Sequence, residues 1–273
     1  MAYFRDLCTP RLHPRFWAKT LLHLLTPGGF GYIRHLRAGR DASYDHARDK
    51  HAVRHKHHGA GGWKDVEEGG IKRRDYASYE EYVTHQKLKL EEMVKMKGGF
   101  SNFDIFDYRL KFYARFRHLT RLLARDAVIL CCGARQGTEV EVLRDLGFRN
   151  ATGIDLNPGP GNPLVRTGDM MHLDAADNSI DMLYTNCVDH AFDLDAMIRE
   201  HSRVLKPDGY LLYDIGVNME EGGGPFEAIS WARSEDVITR LLASFRSVVH
   251  CQRESQWLWI LVRGPLPSNS CAN

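Results

Sequence analysis

The chain has 273 residues and is 43% hydrophobic, enough for one sizeable core plus an appendage. No apolar run approaches the roughly 18–20 residues that span a bilayer, and the opening MAYFRDLCTPRLHPRF is too charged for a secretion signal. The net charge of +2 hides an asymmetry: residues 1–125 hold 25 Lys+Arg against 14 Asp+Glu, and residues 126–273 hold 12 against 21. Such a split fits two halves that dock on each other, or a basic face offered to an anionic substrate, a membrane surface or nucleic acid. Six cysteines are scattered without a C-x-x-C, which argues against a zinc knuckle or a disulfide framework and fits a reducing cytoplasm.

In chain order, Phe16, Trp17, Leu21, Leu24 and Leu25 recur at helical spacing over 14–25, and Thr26-Pro27-Gly28-Gly29 ends that helix. Residues 37–75 are polar and broken by glycines, which predicts a loop-rich, His-rich segment. Ser78 as cap, Glu81 at the capping-box position and Gly98-Gly99 beyond frame a helix over 78–97. A helix rich in Phe, Tyr and Arg follows over 104–123. From 127 the pattern alternates. Strands are predicted at 127–131, 151–155, 180–185 and 209–215, with helices at 138–146, 193–205 and 234–244. Lys206-Pro207-Asp208-Gly209 reads as a tight turn, and residues 247–250 and 257–262 as an antiparallel pair. The expected fold over 126–273 is α/β: a mostly parallel sheet with helices on both faces. A basic, mainly helical extension over 1–125 precedes it.

The chemistry concentrates in Ala127–Gly137, AVILCCGARQG, with Asp155 eighteen residues further on. A buried strand ends there in a glycine bend that opens a helix, and glycine lets a ligand approach the backbone closely. An acid at the tip of the next strand is placed to accept from both hydroxyls of a ribose. A nucleoside cofactor is therefore expected. A dinucleotide site wants G-x-G-x-x-G, whereas Gly133 and Gly137 give G-x-x-x-G with no third glycine in place.

Downstream, TGDMMHLDAADNSIDMLYTN and then HSRVLKPDGYLLYDIG complete a set of pieces that resembles the class I S-adenosylmethionine-dependent methyltransferases, particularly the branch acting on varied small molecules. The resemblance covers about 126–215 and implies that the mostly parallel sheet is Rossmann-like and seven-stranded. It implies S-adenosyl-L-methionine as cofactor, with Cys132, Gly133, Ala134, Arg135 and Gly137 in the loop beneath its methionyl part. It implies Asp155 on the ribose hydroxyls, Leu156 on the adenine, Asp169 accepting from the adenine amino group and Met170 offering its backbone N–H. It places Asn186, Cys187 and His190 near the transferable methyl. The sequence departs from the family pattern at two points. Cys131 stands where an acid closes strand one, and Arg135 replaces the middle glycine of the loop. Arg135 can pair with the cofactor's carboxylate, or make a surface ion pair with Glu139 or Glu141.

Methyl transfer to an oxygen of high pKa needs a base near neutrality, which makes His190 the first catalytic candidate, with Asp189 as its orienter or substitute. Asp214 closes strand five at the ligand-binding end of such sheets. Residues 217–231, with Gly222–Gly224, read as a mobile lid. No N-P-P-Y or D-P-P-Y and no K-D-K-E tetrad is found. These absences favour a small-molecule, sugar or lipid-linked acceptor over a nucleic-acid base, and the basic first half suits an anionic one. His51 and His55 have a metal-ligand spacing, but Arg48, Lys50, Arg54 and Lys56 would repel a cation, so no metal is expected and phosphate contact or a solvated loop fits better. The aromatic and basic residues of 106–117 fit a core helix better than a base-stacking face. Two alternatives stay open: a non-catalytic interaction protein of the same fold, and a nicotinamide-dependent oxidoreductase.

Overall fold

The computed structural model describes residues 13–25, 63–65, 70–97, 102–217, 219, 226–254 and 256–266. In chain order α1 spans Pro14–Leu24, β1 Trp63–Asp65, β2 Ile71–Arg74, α2 Tyr79–Lys97 and α3 Asn102–Phe116. Then come β3 Ile129–Cys132, α4 Thr138–Asp145, β4 Ala151–Asp155, β5 Val165–Thr167 and β6 Ile180–Thr185. The chain finishes with α5 Leu194–Val204, β7 Leu205–Gly216, β8 Ile229–Trp231, α6 Ser234–Leu242, β9 Phe245–Glu254 and β10 Trp257–Pro265.

The main sheet has the order β5-β4-β3-β6-β7-β10-β9. β3 to β7 run parallel, and β10 inserts antiparallel between β7 and β9. Chain order reverses at β3, so a crevice opens beyond the carboxyl ends of β3, β4 and β6, where open α/β sheets take their ligands. All four residues of β3 are buried, as its apolar run predicts for a strand covered on both faces. α5 begins where Asp193 accepts a hydrogen bond from the Ala196 N–H at 2.8 Å.

Each face of the sheet carries its own core. One gathers Leu130, Cys132, Ile154, Leu183, Leu211 and Tyr213 under Met197, Ile198 and Leu241 of α5 and α6, and includes Ile71 of β2. The other gathers Ile129, Cys131, Met182, Tyr184, Leu212 and Trp259 under Val140 and Leu143 of α4, and includes Phe16 of α1 and Phe106, Phe112 and Phe116 of α3. Residues before 126 thus complete both cores. Charge follows the same seam. Arg109 of α3, 0% exposed, donates to Asp145 at 2.7 Å and Glu141 at 2.5 Å, and Lys19 of α1 lies 2.9 Å from Glu141. Part of the positive charge of the first half is therefore paired with acids of the second.

The predicted elements after 127 are present within a few residues of their expected ends. Part of the 37–75 segment differs from the loop expected: β1 and β2 form a small antiparallel sheet with β8, order β1-β2-β8. Its strands have three or four residues, too short to show a period, and β2 pairs with β8 across more than 150 positions. β5 was equally invisible, being a three-residue edge. The helix expected over 104–123 is α-helical only to Phe116 and tightens into a 3-10 turn over Arg117–Arg121. Lys206–Gly209 lies within β7 as a bulge, because Ile180 pairs with Leu205 while Met182 pairs with Tyr210. The histidines of 46–58 and the glycines of 222–224 lie outside the described residues.

Candidate functional site

The bend after β3 has a backbone that alternates in hand. Gly133 has φ 69°, Arg135 φ 44° and Gly137 φ 82°, the last immediately before α4. Arg135 therefore holds the left-handed conformation normally left to glycine, at a cost of about 1–2 kcal/mol. The surroundings hold it there. Its N–H donates to Asp155 Oδ2 at 2.9 Å, and its carbonyl accepts from Asn162 at 3.0 Å. The Ala134 N–H donates to the Ile154 carbonyl at 2.9 Å, which fastens the bend to β4.

This bend floors a cleft of about 580 Å³. Asp155, Leu156 and Asn157, at the tip of β4, form one wall with Gly168, Asp169 and Met170. Tyr82, Gln86 and Lys89 of α2 form the opposite wall, with Cys187 and His190 from the tip of β6. A second recess of about 360 Å³ shares Gly133 and Arg135 and continues past Ala134, Glu139 and Asn186 to Tyr108 and Phe112 of α3.

Each sequence-derived site residue can now be placed. Asp155 accepts from the Arg135 and Asn157 N–H groups, one on each oxygen, and a second lone pair on each stays available for hydroxyls. Asp169 accepts from the Met171 N–H at 2.8 Å and from the Tyr79 hydroxyl at 2.5 Å, so it braces its turn while lining the cleft. Gly133, Arg135, Leu156 and Met170 line the cleft; Ala134 and Asn186 line the recess. Two of the proposed contacts sit elsewhere. The Cys132 side chain is fully buried in the core with Leu130, Ile154 and Met170 and lines neither cavity. Gly137 lines neither cavity; it lies against Leu164 and Val165, where an added Cβ would come within 2.9 Å of both. Asp214 is 3% exposed and ion-paired with Arg115, whose guanidinium also stacks 4.6 Å from the Trp259 ring. It therefore ties α3 to β7. Glu141 is taken by Lys19 and Arg109 rather than by Arg135.

His190 is the most constrained of the set. Its Nδ1 lies 2.9 Å from the Phe226 carbonyl, which only accepts, so Nδ1 carries the proton and Nε2 the lone pair. That lone pair faces Lys89 Nζ at 2.5 Å. Asp189, expected as the orienter, has its carboxylate 3.8 Å from Nε2, beyond hydrogen-bond reach, and the Phe226 carbonyl orients the ring instead. Gln86 donates to that same carbonyl at 2.7 Å, and the Tyr82 hydroxyl donates to the His190 carbonyl at 2.9 Å. Burial, then the neighbouring Lys89, push the His190 imidazole well below its ordinary range and keep it neutral. Burial, then Arg135, lower the Lys89 ammonium. Lys89, Tyr82, Gln86 and Glu139 are the site residues that sequence reasoning missed. The caps of α2 were visible, but nothing local says that its face closes a cleft on residues about a hundred positions away.

Residues 130–213 match the family model described as a methyltransferase domain. That match spans 84 of the 273 residues, and the mostly parallel seven-stranded sheet with its antiparallel last hairpin is the Rossmann-like fold expected for such a domain. Among solved structures, the chain is similar to the Burkholderia thailandensis 1,6-didemethyltoxoflavin-N1-methyltransferase, with 18% identity, a TM-score of 0.54, and 73% of this chain and 98% of that one covered. It is also similar to an S-adenosylmethionine-dependent methyltransferase from Mesorhizobium loti, with 14% identity, a TM-score of 0.44, and coverage of 55% and 97%. The first likeness speaks to fold. No curated protein sequence matches the chain.

Proposed function

We propose that the chain transfers a methyl group from S-adenosyl-L-methionine to an oxygen or carbon of a small-molecule, sugar or lipid-linked acceptor. The observation that carries this reading is the convergence of Asp155, the Gly133 bend and the His190–Lys89 contact on one cleft. The donor set suits the cofactor. The lone pairs left on Asp155 suit adjacent ribose hydroxyls, Leu156 and Met170 offer apolar walls to a purine, and Asp169 can accept from its amino group. Asn186 and the recess beside Gly133 suit the amino-acid end. When bound, the cofactor supplies a methyl group on a sulfonium, already a good leaving group.

The chain's own part is then alignment, exclusion of water and proton removal. Tyr82 and Gln86 fix the backbone and ring of His190. His190 presents its lone pair to Lys89 and holds the amine at the cleft wall. Lys89, lowered by burial, is the group that takes the acceptor's proton, with His190 sharing it. An acidic oxygen or carbon acid fits this pair better than an amine that needs no base.

Titration calorimetry tests the reading. S-adenosylmethionine and S-adenosylhomocysteine should bind, and Asp155→Ala should weaken both at least about tenfold, by about 1.4 kcal/mol or more. Absence of binding by the unaltered chain removes the reading. Binding without transfer of labelled methyl to any component of a metabolite extract would instead support the non-catalytic alternative.

A further inference from the structure

Glu139 is the second residue of α4 and is 5% exposed, yet it lines the recess beside Gly133, Arg135 and Asn186. No ion pair reaches its carboxyl among the described residues, whereas Glu141, two positions on, has both Lys19 and Arg109. A buried carboxyl of this kind stays protonated or takes a cation from elsewhere. Its position is informative. It acts electrostatically on Cys131 and Tyr184, cross-strand neighbours on β3 and β6, so it lies over the tip of the first parallel strand. That is the place where the sequence puts Cys131 instead of the acid expected there.

We propose that Glu139 is the carboxylate that pairs with the ammonium of the bound cofactor, reaching from α4 the place left by Cys131, so that cofactor uptake is coupled to loss of the Glu139 proton. The inference rests on the proposed cofactor. Balance is simple: the neutral carboxyl gives its proton to solvent, and the carboxylate formed faces the ammonium. Burial pushes the free carboxyl up to about 8, its own backbone N–H and then Arg135 draw it back, and Asp155 adds to the rise. Cys131 and Tyr184, which also face it, are pushed up by burial and stay neutral. The carboxyl is thus mostly protonated at pH 7, and binding should release most of one proton. The sign follows: cofactor affinity rises with pH between about 6 and 8, as the proton to be displaced is lost.

The test is calorimetry on the full chain with S-adenosylhomocysteine and its desamino analogue, 5′-S-(3-carboxypropyl)-5′-thioadenosine, in buffers of different ionisation enthalpy. The unaltered chain should release a proton with the first ligand and not with the second. Glu139→Gln should weaken S-adenosylhomocysteine at least about tenfold, abolish the proton release and leave the desamino analogue within about twofold. Unchanged S-adenosylhomocysteine affinity in Glu139→Gln overturns the proposal. So does an equal loss for both ligands, which would make Glu139 a packing residue only. If neither ligand binds the unaltered chain, the cofactor reading itself fails, a result distinct from the other two.

Discussion

At the scale of single residues, the Lys89–His190 contact separates two kinds of base. A free histidine would give a rate that rises through its own ordinary range, but here the ring is held neutral and its lone pair is engaged. The rate should instead rise with pH as Lys89 loses its proton, with a midpoint below that of an ordinary lysine. Lys89→Met should remove this limb and lower kcat by about 10²–10⁴, while S-adenosylhomocysteine affinity measured by calorimetry stays within about threefold. A purely structural role would move the affinity and leave the shape of the pH profile. Asp155 and Gly133 were legible in the sequence because their chemistry sits in one local strand–bend–helix–strand unit. Lys89 and Glu139 were not. A lysine midway along a helix and a glutamate in the first turn of another are ordinary surface residues until packing buries them.

At the scale of elements, α4 carries the bend on its N-terminus, so whatever fixes α4 fixes the cleft floor. Arg109 does much of this. Its guanidinium reaches Glu141 and Asp145 on α4 and the Thr20 hydroxyl on α1 at 3.0 Å, and it lies 5.1 Å from the centre of the Phe16 ring. Removing one member of a buried charged network leaves the others unpaired, at about 3–5 kcal/mol. Arg109→Met should therefore destabilise the fold by about that amount in urea unfolding, and Arg109→Lys should recover little, because one ammonium cannot reproduce the fork. The same element shows what the sequence concealed. The residues of α1 and α3 predicted helices, α3 as a core helix, but nothing local named a partner for the arginine among its aromatic residues. Its carboxylate partners lie more than 30 positions downstream, and only the packed helices bring them within reach. The small β1-β2-β8 sheet was hidden for a related reason: β8 lies more than 150 positions from the β2 strand it pairs with, and all three strands are too short to show a period.

At the scale of the whole molecule, the question is whether residues 126–273 form an independent unit, as the composition change near 125 suggests. The packing argues otherwise. Phe106, Leu110, Phe112, Phe116 and Leu119, all before 126, are buried against one face of the sheet, with the Phe116 and Tyr184 rings edge-to-face at 4.8 Å. Five such side chains at about 1.5–3 kcal/mol each contribute about 8–15 kcal/mol, comparable to the entire stability of a typical domain. Asp145, Glu141 and Asp214 would also lose Arg109, Lys19 and Arg115. The opposite face would lose Ile71, which packs with Trp231 in the second core, and the backbone bond from the Arg74 N–H to the Ala228 carbonyl at 2.8 Å. A fragment of residues 126–273 produced alone should therefore aggregate or melt without a cooperative transition, whereas the full chain should unfold in one step by circular dichroism. A soluble fragment with a sharp melt and full affinity for S-adenosylhomocysteine would show that the first half is an appendage after all. The two-sided burial of the sheet predicts the reverse, because a parallel sheet that keeps α4 but loses α1 and α3 from one face exposes a large apolar patch to water.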